Sequence, residues 1–185
     1  MKHIARSTLI IAVFFGLEKI LGFLRHVLIA RTFNLSTELD AFNAANNIPD
    51  LIFALISGGA LAMAFIPVLS EYQESNKKSQ MWDLFSQITN AVFLVTTLLS
   101  LVIAFSAQQL VSWEIGIAPG FSSTQQALVT DLMRLNLIAT ILFSLGGLAI
   151  AGLQSQQHFL VPALAPAMYD IGSLFGILIL APEQG

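Results

Sequence analysis

The chain has 185 residues, 56% hydrophobic and 10% charged, with a net charge of −3 and a mean hydropathy of +0.78. Soluble domains carry roughly 25% charged residues, so this composition excludes one and points to a polytopic membrane protein. The small, dispersed charge argues against nucleic acid as a partner. The absence of cysteine excludes disulfides, thiolate catalysis and Cys-based metal sites.

The chain starts Met1-Lys2-His3-Ile4-Ala5-Arg6 ahead of an apolar run, which imitates a secretory signal. No small-x-small cleavage site follows, so the segment reads as a retained first helix over 7–31. Within Leu9–Ala30 stand Glu18, Lys19, Arg25 and His26. At about 100° per residue, with Glu18 at zero, Arg25 falls near −20°, Gly22 near 40°, His26 near 80° and Lys19 near 100°. The polar groups share one stripe on an otherwise apolar helix. Three formal charges at a membrane-helix centre cost roughly 8–10 kcal/mol. The fourteen Leu, Ile, Val and Phe residues of the same stretch return about 4–8 kcal/mol. Such a stripe requires water, a partner helix or a charged ligand, so it is a candidate functional site; a structural ion pair is the alternative.

Arg31–Glu38 is a polar link in which Ser36 or Thr37 can cap the next helix. A second helix is expected over 39–69. Its Asp40, Asn43, Asn47 and Asp50 fall within an arc of about 80°, a second polar stripe. Pro49 and Ser57-Gly58-Gly59 predict a kink or break in it. Ser70–Gln80 is hydrophilic and reads as an aqueous loop. A third helix is expected over 84–107, and Gln108–Thr124 is a loop with Trp113 at interface depth. The fourth helix, over 125–153, carries Asp131 and Arg134 at i, i+3, read as a structural pair, and small residues Gly146, Gly147 and Gly152 that permit close helix approach. A fifth helix is expected over 159–180, with Pro162, Pro166, Asp170 and a Gly172-x-x-x-Gly176 pattern. The whole is one all-α transmembrane domain of about five helices. Lys2, Arg6, Lys77 and Lys78 on one side, against Arg31 on the other, place the amino terminus in the cytoplasm.

No HExxH, Gly-rich phosphate loop or Ser-His-Asp set is present, so no enzyme is expected. Lys19 and Arg25 have a spacing seen in membrane phosphatases, but the following Pro and the nucleophilic His motif are missing. His3, His26 and His158 are scattered, so neither a shared metal site nor a cofactor is expected.

The residues resemble the MurJ/MviN lipid II flippases of the multidrug/oligosaccharidyl-lipid/polysaccharide exporter superfamily. The likeness runs through Leu21-Gly22-Phe23-Leu24-Arg25, Ile29-Ala30-Arg31, Asp40-Ala41-Phe42 and Ile48-Pro49-Asp50-Leu51. It continues through Ala64-Phe65-Ile66-Pro67 before Glu71-Tyr72, then Ala118-Pro119-Gly120-Phe121 and Phe159…Pro162-Ala163-Leu164-Ala165-Pro166. The resemblance implies a two-lobe exporter of lipid-linked peptidoglycan precursor in the bacterial cytoplasmic membrane, working by alternating access. It further implies that these helices are most of the first lobe, at the amino-terminal end. Five helices ending at Pro182-Glu183-Gln184-Gly185 look cut short, so a second lobe or a second copy is an expected partner, beside lipid II and the bilayer.

Lys19 and Arg25 match basic positions that in the family face the pyrophosphate. Lys19 stands where Arg is usual, which keeps charge but loses the bidentate fork. Glu18 and His26 depart from the family pattern; with Asp40, Asn43, Asn47 and Asp50 they are read as cavity-lining groups or counter-charges. An exporter of another lipid-linked glycan or of a drug, and a non-transporting membrane interaction protein, are the competing readings.

Overall fold

A computed structural model describes residues 2–34, 36–56, 60–75, 77–113 and 116–180. Among these the chain is all-α: α1 (Lys2–Phe33), α2 (Thr37–Ile56), α3 (Ala60–Glu74), α4 (Lys78–Ser112), α5 (Ser123–Ser155) and α6 (Leu160–Phe175). A π-helical turn, Gly176–Leu180, continues α6. Three helical stretches of the described residues are long and apolar enough to cross a membrane: Lys78–Ser112, Ser123–Ser155 and Leu160–Ile179.

Several boundaries differ from those expected. The helix expected over 39–69 is described as α2 and α3; the Ser-Gly-Gly at 57–59, predicted to loosen it, lies outside the described residues, as do 182–185. The hydrophilic stretch 70–80 is largely helical, because α3 runs on to Glu74 and α4 starts at Lys78. Likewise α4 continues past Ala107 to Ser112. Helical hydrogen bonds are made within the segment, so a helix need not stop where its apolar run does. Pro49 sits inside α2 without ending it.

The chain divides into two compact units, Met1–Leu35 with Gln157–Gly185, and Ser36–Gln156. In the first, α1 packs on α6. Asn34, at φ 50°, ends α1 in the left-handed conformation that an asparagine tolerates, its N–H bonded to the Ala30 carbonyl at 3.1 Å. On α6, Ala163, Ala167 and Asp170 are buried. Their i, i+4, i+7 spacing gives a face of small side chains that lets another helix approach. Among the described residues nothing lies within 4 Å of where a Cβ would stand on Gly172 or Gly176.

In the second unit, α5 is the central helix, packed on α2, α3 and α4. One core cluster joins Ala41, Ala45 and Ile52 of α2 and Val111 of α4 to Val129, Met133 and Leu137 of α5. A second gathers Phe65, Leu69, Met81, Val92 and Leu148. Ser36 caps α2, its Oγ accepting from the Leu39 N–H at 3.2 Å. The Glu38 carboxylate is held below its ordinary pKa, first by its own backbone N–H and then by the Ser36 and Thr37 hydroxyls. A depressed carboxylate pKa stabilises the fold above the unfolded value, and that contribution disappears as pH falls through the folded one. At the other end, Ser122 and Gln125 form a reciprocal capping box that starts α5.

The Asn136 amide donates to Asn46 Oδ1 at 3.0 Å, linking α5 to α2. Between apolar helices such a bond contributes about 0.6–1.7 kcal/mol. Asn136→Leu should therefore lower unfolding stability in detergent by about that much, and Asn46→Leu in the same background should add little.

Candidate functional site

In the first unit the polar stripe of α1 turns toward α6. Phe14, Glu18, Leu21, Gly22 and Arg25 are half-buried, whereas Phe15, Leu17, Ile20, Phe23 and Leu24 are exposed. Arg25 Nε lies 3.2 Å from Asp170 Oδ1, and its guanidinium carbon is 5.1 Å from the centre of the Tyr169 ring. Asp170 is 4% exposed. The Arg25 Nε–H does not point at the carboxylate closely enough to make a hydrogen bond, so the pair is held by charge rather than by a shared proton.

Gly22 completes the contact. A Cβ there would sit 3.4 Å from Asp170 Oδ2, and a larger side chain would push the carboxylate away from α1. Asp170 thus rests against the helix between Gly22 and Arg25.

The other members of the stripe are placed differently. Lys19 pairs with its neighbour Glu18 at 3.1 Å, with side-chain exposures of 78% and 19%. Solvent or another polar group can reach this lysine, and a pair this open contributes little to stability. His26 is exposed, its Nδ1 2.7 Å from the Gly22 carbonyl of its own helix.

In the second unit, Asp40, Asn43, Asn47 and Asp50 are exposed, while Ala41, Ala44, Ala45 and Ile52 are buried. They lie about 180–260° around α2 from Ala41, so the polar stripe is the face turned away from that unit's core. Asn47 bonds locally, its amide donating to the Ala44 carbonyl at 3.2 Å. Arg134 pairs with Asp131 at 3.5 Å and donates from Nε to the Ala104 carbonyl at 3.1 Å, the structural tie that their spacing suggested.

Two site residues were missed by the sequence reading, Asp170 and Tyr169. A signal existed: Asp170 is the one charged residue between Leu160 and Leu180, and an ionisable group in an apolar span is a functional candidate by default. What spacing could not reveal is which basic residue it meets.

Chemically, the site offers a half-buried guanidinium with one carboxylate and one aromatic face beside it. A planar guanidinium can hold a phosphate oxygen pair bidentately, and a buried carboxylate can occupy the cation in its place. Among the described residues no group of three His, Cys, Asp or Glu could hold a metal ion.

The model of the family "Lipid II flippase MurJ" matches residues 29–185. A probable lipid II flippase MurJ of Buchnera aphidicola subsp. Acyrthosiphon pisum is 32% identical over 161 residues, 86% of this chain and 31% of that protein. The lipid II flippase MurJ of Burkholderia cenocepacia is 30% identical over 184 residues, 98% of this chain and 35% of that protein. That of Thermosipho africanus is 27% identical over 169 residues. The chain spans about a third of the length of the curated relatives it matches. Membrane-crossing helices, a cation set into an apolar helix and a family match over residues 29–185 lead to one assignment: the chain belongs to the lipid II flippase MurJ family.

Proposed function

We propose that this chain takes part in moving lipid II, the lipid-linked peptidoglycan precursor, across the bacterial cytoplasmic membrane as a transporter rather than as an enzyme. The observation that carries the reading is Arg25, a cation kept half-buried in an apolar helix by a single carboxylate. In this reading the pyrophosphate of the precursor displaces Asp170 from Arg25, and exposed Lys19 adds a second positive charge. Glu18, His26, Asp40, Asn43, Asn47 and Asp50 line the path or balance charge when it is empty. Transporters of this kind work by one repeat rocking against another around a midplane site, so the helices act as most of a first lobe, with a second lobe or a second copy opposite. In this reading there are five crossings, α2 and α3 together making the second, and the basic residues Lys2, Arg6, Lys77 and Lys78 against Arg31 put the amino terminus in the cytoplasm.

The test is outer-leaflet lipid II in bacteria depleted of their own flippase. Cells receive either this chain or a chimera in which it replaces the matched third of the Burkholderia relative, with membrane levels equalised. Restored export by the chimera is expected. Lys19→Gln and Arg25→Lys in that chimera should each reduce export about tenfold, since a hydrogen bond to a charged group contributes roughly 1.5–3 kcal/mol. Unchanged export in both variants would exclude the phosphate-holding role and leave the stripe as structural ion pairs. Export of a different lipid-linked glycan with no lipid II appearing outside would favour a related exporter instead.

A further inference from the structure

Where α3 finishes, α4 begins and α5 finishes, the second unit has a cleft of about 300 Å³. Its walls are mostly carbon, from Leu69 of α3, Met81, Trp82 and Phe85 of α4 and Ala149 and Gly152 of α5, with Ser155 and Gln156 as the polar part of the lining. The floor is set by aromatic packing. Phe85 stacks on Phe65 at 6.1 Å and meets the Trp82 ring edge-on at 5.7 Å. It also lies where a Cβ on Gly152 would be 2.8 Å from its Cε2, so a glycine is needed for the ring to lie there.

Among the described side chains, the charges nearest the cleft are unevenly placed. Lys77 and Lys78 are exposed and lie within about 60° of Met81 around α4, whereas Asp83 lies about 160° away. On α3, Glu71 is likewise about 160° from Leu69. Lys77, at the N-cap of α4, makes no side-chain cap; the first helical bond runs from the Met81 N–H to the Lys77 carbonyl at 3.0 Å. The N–H groups of the first turn and the positive end of the helix dipole therefore add to the two lysines. Trp82, half exposed at the cleft, is a residue type that settles at the level of lipid headgroups.

An apolar cleft at the end of membrane-crossing helices, with Lys77 and Lys78 on its side of α4 and Asp83 and Glu71 on the far sides of their helices, matches an amphiphile with an anionic head. We propose that this cleft binds one acyl chain of an anionic phospholipid from the adjacent leaflet, the phosphate resting at the start of α4 against Lys77 and Lys78. The site is independent of Arg25 and of the transport reading.

The experiment uses the full chain carrying Trp113→Phe, which leaves Trp82 as the sole tryptophan, in nanodiscs of phosphatidylcholine. A minor fraction of the lipid is replaced by dibrominated phosphatidylglycerol or, in parallel, by dibrominated phosphatidylcholine. Trp82 fluorescence should be quenched several-fold more by the brominated anionic lipid than by the same fraction of the neutral one. Ala149→Phe, at an exposed position on the cleft wall, should abolish that excess by filling the cleft. Lys77→Gln with Lys78→Gln should reduce it to the neutral-lipid level. Equal quenching by both lipids in the parent chain overturns the proposal, because it reports only the surrounding lipid. An excess that survives Ala149→Phe also overturns it, because the attraction would then need no cleft. Far-ultraviolet circular dichroism verifies folding, and Ala149→Leu provides a smaller filling if the phenylalanine variant does not fold.

Discussion

Arg25→Leu will destabilise the α1–α6 pair by about 3–5 kcal/mol, the usual cost of removing one partner from a buried ion pair. The reason lies in Asp170, which is 4% exposed and would be left as an uncompensated charge among apolar side chains. Arg25→Leu combined with Asp170→Leu should recover most of the loss, because a buried pair replaced by apolar groups of similar size is close to neutral. Lys19→Leu should change stability by no more than about 0.5 kcal/mol, since its side chain is 78% exposed and its pair is with a sequence neighbour. Equilibrium unfolding in mixed micelles measures all three variants. An Arg25→Leu chain as stable as the parent would mean that Asp170 finds other neutralisation, and the displacement step proposed for the phosphate would lose its basis.

Leu137→Ala will cost about 2–3 kcal/mol in the second unit. Leu137 is 1% exposed and belongs to the cluster where α2, α4 and α5 meet. In water, truncation of a core leucine costs about 2–5 kcal/mol, a transfer contribution plus a cavity contribution. A helix bundle surrounded by lipid loses little of the first, because acyl chains are as apolar as leucine. The cavity and its lost dispersion contacts remain, which places the expected cost at the lower end. Leu135→Ala is the control: at 63% exposed it leaves no cavity and should be nearly silent. Equal effects of the two variants would contradict the packing of α5 on α2 and α4.

Much of the architecture was legible because membrane helices announce themselves by composition. The apolar runs at 84–107 and 125–153 lie within two stretches of helix long and apolar enough to cross a membrane, the run at 159–180 covers a third, Leu160–Ile179, and their hydrophobicity alone requires helices in a bilayer. Helix ends were less legible. Hydropathy reports where apolar residues stop, while the backbone continues to bond through Lys78-Ser79-Gln80 at the start of α4 and Gln108–Ser112 at its end. Where a polar side chain makes a specific local bond, the sequence did better: Ser36, proposed as a cap, is one.

Gly146, Gly147 and Gly152 show the limit of composition as a guide to packing. All three permit close approach in principle, yet a Cβ on Gly146 would meet nothing within 4 Å while one on Gly152 would strike Phe85. Small residues allow contact; which of them is used depends on where the partner helix lies.

By itself the sequence determined that the chain is helical and membrane-bound, that α1 carries a charged stripe, and that Glu18, Gly22 and Arg25 share one face of it. Those properties follow from composition and from a fixed rotation per residue. Only the tertiary structure decided which of those charges is neutralised and by what. Arg25 meets Asp170, about 145 positions along the chain, while Lys19, on the edge of the same stripe, stays exposed beside Glu18. The physical reason is that helical periodicity sets the direction of a side chain around its own axis, whereas pairing between distant helices depends on how their faces pack, which small residues such as Gly22, Ala163 and Ala167 permit but do not specify.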